Sequence, residues 1–345
     1  MLPDYMPMMQ TKEPLYRTPD DAEAKIAVIV LTFDRPKYLK RALNSISQLR
    51  GLRDASLFFF VDGPYDKESS QRCAEAAQLC DDFDHPDKEV ITRPKNVGTS
   101  TQVYGSKSYV FDLGYDFAVT IEDDFVCAPY ALQALITAHS SVTALRPQQL
   151  FTLDVFNKNS TTHEQKLSQL HDIIPCGGQW VSLTSSYVWS HVAPLLSQYN
   201  ERFILPLIEG RLSRPYRSRP SVDIRKWYGH VIGSSSPYYA HVTNPKYPSS
   251  QDGCVAVAMM KNDIVPFSTC VNHAVHIGKE GEHMTPELHA KMGLDDVRLD
   301  LFDEGQVLAA LRQLRICDAV STVEKDTLWV SQDSKYAGTP KCSLP

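Results

Sequence analysis

The stretch YDFAVTIEDDFVCAP, Tyr115 to Pro129, runs from an apolar, β-branched segment straight into three carboxylates. Phe117 to Ile121 has the make-up of a strand covered on both faces, and Glu122, Asp123 and Asp124 stand where that strand must end. The apolar pair Phe125-Val126 follows at once. A hydrated acidic turn would account for such a trio, but apolar runs on both sides point instead to carboxylates placed for chemistry. A compact acidic group at a strand end suits a hard divalent cation, which in turn neutralises a diphosphate.

Upstream, IAVIVLT (Ile26 to Thr32) is a second continuous apolar run, followed by Asp34-Arg35-Pro36, with proline well placed in a helix's first turn. Leu39, Leu43 and Ile46 then recur at helical spacing. SLFFFV (Ser56 to Val61) ends in the turn residues Asp62-Gly63-Pro64. A polar helix is expected from about Lys67 to Leu79, a short strand over Glu89 to Thr92, and a further helix between Asn96-Val-Gly98 and Leu113. Strands alternating with helices predict an α/β fold, a Rossmann-like, mostly parallel sheet flanked by helices, whose ligands lie outside the carboxyl ends of the strands. Asp34, Asp62 and the Glu122-Asp123-Asp124 trio each terminate a predicted strand, so the fold should gather them at one rim.

Downstream, a helix over Ala131 to His139 leads to a strand over Leu150 to Asp154, and Cys176-Gly-Gly-Gln-Trp180 enters a buried element at Val181 to Trp189. Arg211 to Ser250 shows no clear period and reads as loops. Helices are expected at Asp252 to Lys261 and Gly305 to Arg315. Trp180, Trp189 and Trp227 offer faces on which a sugar would stack, with core packing the better role for Trp189.

Composition narrows the partners. The 345 residues carry a formal net charge of -6, which argues against an extended nucleic-acid surface. The local basic cluster of Arg211, Arg214, Arg217, Arg219, Arg225 and Lys226 reads as a solvated loop or as a patch for an anionic donor, acceptor or lipid head group. Eight scattered cysteines without a Cys-x-x-Cys pair suggest buried thiols in a reducing compartment, although their even number leaves disulfides open. No apolar run approaches the ~20 residues of a membrane helix, and the Met-rich start lacks a signal peptide's apolar region. The expectation is a cytoplasmic protein, or a soluble catalytic domain whose membrane anchor has been removed.

At this point the residues resemble a family. YDFAVTIEDDFVCAP is similar to the metal-binding segment of N-acetylglucosaminyltransferase I and its relatives, glycosyltransferases of the GT-A type. IVLTFDRPKYLKRAL resembles that family's first strand and Asp-Arg turn, and FFFVDGPYDKES its second strand and Asp-bearing loop. FTLDVFNKNS resembles the strand and Asn-rich turn after the metal site, and IIPCGGQWVSLTSSYVW the Gly-Trp acceptor-side segment. The matches keep their order over roughly Lys25 to Leu288.

The resemblance implies an inverting, Mn²⁺- or Mg²⁺-dependent hexosyltransferase. It would move a sugar, best read as GlcNAc or a related hexose, from a UDP-sugar donor to a glycan, lipid or small-molecule acceptor. Asp124 would bind the metal directly, Glu122 the donor sugar, Asp123 the nucleotide, Arg35 the diphosphate or uridine and Asp62 the nucleotide. Lys107 stands near the place of a nucleotide-touching His. The base that takes the acceptor hydroxyl's proton would be Asp252 in PSSQDGCVAVAM, where Gln251 replaces the family's first Asp and Gly253 its Trp. Asp252 has an alternative role as a helix N-cap. NHAVHIGKEGEHMTPEL resembles a late Gly-rich loop that folds over the donor. In it His276 would add a metal ligand, Lys279 or His283 would meet the diphosphate, and His273 completes a histidine cluster. The implied organisation is an N-terminal tail or arm (1–24), a nucleotide-sugar-binding half (25–140), an acceptor-binding and catalytic half (141–290), and a C-terminal helical extension and tail (291–345).

Two other enzyme classes fit less well. A nucleotidyltransferase would carry a basic Gly-rich loop after its first strand, where this chain has Phe33-Asp34-Arg35-Pro36, and a dinucleotide oxidoreductase would need Gly-x-Gly-x-x-Gly. A non-catalytic protein of the same fold that binds nucleotide sugars or glycans is the remaining alternative.

Overall fold

The computed structural model describes residues 18–157, 161–176, 179–209, 221–281 and 284–317. The chain begins as its pattern predicts: β1 (Ile26–Thr32), α1 (Pro36–Ile46), β2 (Ser56–Val61), α2 (Lys67–Asp81), β3 (Lys88–Thr92), α3 (Gly98–Asp112) and β4 (Phe117–Glu122). Pro36 opens α1, and Leu39, Leu43 and Ile46 form its buried face. Asp66 starts α2 by accepting from Ser69 N, an exchange that satisfies amides the helix would otherwise leave unpaired.

Strand β1 shows why an unbroken apolar run was needed. Val28 and Val30 face one hydrophobic cluster, with α1 and the helix α4 (Ala131–Leu145), while Ala27, Ile29 and Leu31 face a second, with α3 and the helix Ser186–Tyr199. Both faces of the sheet are therefore covered, the condition under which parallel strands are stable.

The later strands are β5 (Phe125–Cys127), β6 (Phe151–Asp154), β7 (Asp172–Pro175), β8 (Val181–Ser185), β9 (Val265–Thr269), β10 (Ala274–His276) and β11 (Arg315–Ile316). Of the eleven strands among the described residues, nine form one sheet in the order β11-β7-β9-β6-β8-β4-β1-β2-β3. β4, β1, β2 and β3 are mutually parallel, β8 runs antiparallel between β4 and β6, and β6 is parallel to β9. The expected α/β class, with a mostly parallel sheet flanked by helices, is what the chain adopts. Pairing of β5 with β10 in a separate two-stranded sheet was not foreseen.

The structure departs from the sequence reading at three places. Residues 221–232 and 239–242 form helices instead of loops, because Ile224, Trp227 and Tyr228 bury at helical spacing where the Pro, Ser and Arg content masked the period. Arg211, Arg214, Arg217 and Arg219 lie outside the described residues. Cys73, Cys80, Cys127, Cys176, Cys254 and Cys270 are thiols as expected, whereas Cys317 is disulfide-bonded. Among the described residues no helix is long and apolar enough to cross a membrane.

A pH dependence follows from α4. His139 is buried with its ring 4.5 Å from Phe151 and 5.3 Å from Phe117, and burial pushes its pKa down to about 3. A folded-state pKa below the unfolded value means that the unfolded chain binds the extra proton. This contribution to stability is complete above the unfolded pKa of about 6.5 and is lost as pH falls from there towards the folded value. Chemical denaturation at pH 7 and pH 5 should show a loss approaching about 1.4 kcal/mol per pH unit from this site. His139→Phe, even if destabilised, should remove that part of the slope.

Candidate active site

The parallel register sets the rim. Leu31 pairs with Glu122 and Thr32 with Val61, and the pairing continues as Asp123 N donates to Leu31 O at 3.0 Å and Asp62 N to Thr32 O at 2.9 Å. The carboxyl ends of β4, β1 and β2 are thus level, which brings the acidic residues to one edge. Their side chains, however, fall into separate groups.

Asp123 and Asp124 share Arg35. One Arg35 nitrogen donates to Asp123 Oδ1, and Nη1 donates to Asp124 Oδ2 at 2.7 Å. Asp123 Oδ2 also accepts from Thr32 Oγ1 at 2.8 Å and Phe33 N at 3.3 Å, which locks it to the end of β1. Burial opposes the charge on Arg35, but Asp123 and Asp124 outweigh it and hold its pKa above the usual value. Burial likewise works against the Asp124 carboxylate, yet the His276 hydrogen bond and the Arg35 charge bring its pKa down to about 2.

His276 comes from β10. Its register opposite Phe125 places it beside the trio, with Nε2 3.1 Å from Asp124 Oδ2. The following segment closes over the pair. Ile277 N donates to Asp124 O at 2.8 Å, and Glu280 N donates to Tyr38 Oη at 3.2 Å. Gly278 is required by this approach, since a Cβ there would lie 2.3 Å from Asp124 Oδ2. Gly278→Ala is therefore expected to displace residues 276–281 and to lower nucleotide affinity at least about tenfold, the effect of roughly 1–3 kcal/mol of overpacking. Calorimetric titration with UDP would measure it.

Glu122, half-buried, has its proton affinity raised well above the carboxylate norm, by burial first and then by the negative charges of Asp124 and Asp252. The charge of Asp252 is thus felt at Glu122. Asp252 lies exposed in the first turn of the helix Gln251–Lys261, where its Oδ1 accepts from Gln251 Nε2 at 3.2 Å. The N-cap position belongs to Ser250, so the alternative capping role does not apply. Gly253 cannot be a larger residue, because a Cβ would meet Pro248 O at 2.1 Å.

Asp62 sits apart in a ring of donors: Gly63 N, Val97 N, Gly98 N and Asn96 Nδ2, at 2.8, 2.9, 3.0 and 3.1 Å. Burial still pushes its pKa up to about 6 against those bonds. Asp34 is taken by Arg72, whose Nε and Nη2 reach Oδ2 at 3.0 and 2.6 Å. Asp34 and Asp62 thus engage donors other than Arg35, namely Arg72 and the groups that open α3.

Two further candidates do not join the group. Lys107 is buried under the sheet, where Nζ donates to Thr184 Oγ1 at 3.2 Å and lies 5.6 Å over the Trp189 ring. Thr184 pairs with Ala118 near the start of β4, at the far end from Glu122. Lys279 extends outward to Asp295 at 2.6 Å. His273 is fully buried against Tyr130, and burial pushes its pKa down to about 4. His283 lies outside the described residues. Sequence reading missed Thr32, Tyr38 and His289, whose ring stacks 5.3 Å from that of His276. Only β10's register could have revealed the last.

Two solved structures to which this chain is similar hold nucleotide sugars. A mannosyltransferase from Pyrobaculum calidifontis, in complex with GDP-Man and Mn²⁺, aligns at 11% identity and a TM-score of 0.35 over 70% of this chain and 71% of its own. Residues 1-349 of S. aureus TarS, in complex with UDP-GlcNAc, align at 11% identity and a TM-score of 0.39 over 84% of this chain and 71% of its own. No protein-family model and no curated protein matches the sequence.

The donor set allows a cation. Asp124 Oδ1 is buried without a hydrogen-bond partner, and His276 Nε2 stands beside the other oxygen. Among the described residues no three His, Cys, Asp or Glu side chains converge as a closed cage. Two protein ligands are what a Mg²⁺- or Mn²⁺-type ion needs when phosphate oxygens and water complete its shell.

Proposed function

We propose that this protein is a metal-dependent glycosyltransferase of the GT-A type, transferring a sugar from a UDP-sugar to an acceptor hydroxyl with inversion. The observation that carries the reading is the Arg35–Asp123–Asp124–His276 assembly at the carboxyl rim of β1 and β4, with Glu122 and Asp252 within each other's electrostatic reach. The donor sugar is read as GlcNAc or a related hexose, and the acceptor as a glycan, a lipid or a small molecule.

In this reading Asp124 and His276 hold a divalent cation, which when bound neutralises the charge of the departing diphosphate. Arg35, poised between two carboxylates, offers its guanidinium to the diphosphate oxygens. Glu122, with its raised proton affinity, donates or accepts a hydrogen bond at a sugar hydroxyl. Asp252 takes the proton of the acceptor hydroxyl as that oxygen bonds to the anomeric carbon and the bond to UDP breaks. Residues 276–281, laid over Asp124 and tied to Tyr38, exclude water that would otherwise hydrolyse the donor. Asp62, ringed by the amides that start α3, is placed to shape the nucleotide end of the site.

Incubation with a panel of UDP- and GDP-sugars, Mn²⁺ and candidate acceptors should release nucleoside diphosphate. A purely binding protein would release none, and that outcome with bound donor would favour the non-catalytic alternative.

A further inference from the structure

Asp154 closes β6 and is 1% exposed, yet no step above uses it. Its Oδ1 accepts from Phe156 N at 2.7 Å and its Oδ2 from Trp180 N at 2.9 Å. One carboxylate therefore joins the chain leaving β6 to the chain entering β8. The two residues it holds are also joined through their rings. Phe156 and Trp180 are 5.1 Å apart, Phe125 lies 5.1 Å from Phe156 and 5.8 Å from Trp180, and Trp180 lies 6.0 Å from His276. His276 in turn stands on Asp124. Trp180 is half-buried, whereas Phe125 and Phe156 are buried.

Burial pushes the Asp154 carboxyl up to about 7, and the backbone amides it accepts from, Phe156 and Trp180 among them, act against that rise.

We propose that Asp154 is a positioning residue that holds the Trp180 indole beside Asp124 and His276 as a stacking platform for the donor's sugar ring. The ligand class rests on the transferase reading; the positioning does not. A sugar presents an apolar C–H face, and a rigid indole matches it at little entropic cost.

The test uses the full chain and two readouts. The Trp180 contribution to fluorescence is obtained by subtracting the spectrum of Trp180→Phe. Affinity is measured for UDP and for the tightest binder in a panel of UDP-sugars. Asp154→Asn turns an amide donor towards a backbone N–H, so the Trp180 emission should shift to the red. The sugar's advantage over UDP should shrink about three- to tenfold, while UDP affinity stays within twofold.

Unmoved Trp180 emission in a folded Asp154→Asn protein would overturn the positioning role. If Asp154→Asn does not fold, Trp180→Ala decides: a Trp180→Ala protein that keeps the full sugar advantage overturns the proposal. Wild-type protein that binds neither UDP nor any UDP-sugar would instead sink the transferase reading, leaving the emission shift to judge Asp154 separately.

Discussion

Asp124→Ala is expected to abolish the Mn²⁺-dependent part of UDP binding. Asp124 Oδ1 is the buried carboxylate oxygen left without a partner at the rim, and Oδ2 already draws in both Arg35 and His276. Removing the side chain takes away the cation's anionic ligand and leaves His276 without its partner carboxylate. Altering outer-shell partners of a metal costs about 10–100-fold in affinity, so loss of a direct ligand should cost at least about a hundredfold. Stability should suffer less. Arg35 keeps Asp123, and its side chain is 27% exposed, so the change stays below the ~3–5 kcal/mol of a fully buried pair that loses one member. Calorimetric titration with UDP, with and without MnCl₂, reads the effect directly. An Mn²⁺ enhancement equal to that of wild type would remove Asp124 from the metal site.

The second large effect is expected at Asp252. Asp252→Asn preserves shape but cannot accept a proton, and general-base catalysis contributes about 10²–10⁴-fold. UDP release in the presence of acceptor should fall by that factor, with UDP affinity within twofold of wild type. The residue is exposed in a helix's first turn, so the fold should lose only about 0.3–1 kcal/mol from the helix dipole. Glu122 adds a diagnostic consequence. Asp252's charge helps to raise its proton affinity, so neutralising Asp252 should bring the Glu122 pKa down, a shift that carbon-detected NMR titration can follow. An Asn variant that transfers sugar at the wild-type rate would transfer the base role elsewhere. Product NMR provides an independent check on the same chemistry: attack from the face opposite UDP gives a β-linkage from an α-linked donor, and a retained configuration would refute inversion.

Much of the first half of the chain was legible in order. The runs at 26–32, 56–61 and 117–121 could only be strands covered on both faces, and each ended in an acidic residue, so the rim was foreseeable from period and polarity alone. Lys107 was misplaced because spacing along a helix does not say which end of the sheet its side chain reaches. The helix at 221–232 was overlooked because its buried aromatics are interrupted by charged residues that local composition weighs equally.

What the chain's order determined by itself is the level edge of β4, β1 and β2: consecutive parallel strands of similar length, each followed by a turn, bring their carboxyl ends together whatever the loops do. What only the tertiary structure decided is the partnership of each carboxylate there. Arg35 bridges Asp123 and Asp124, Arg72 takes Asp34, four donors enclose Asp62, and β10 delivers His276 from 152 positions away. A hydrogen bond depends on distances of a few tenths of an ångström between groups remote in sequence, and periodicity carries no information on that scale.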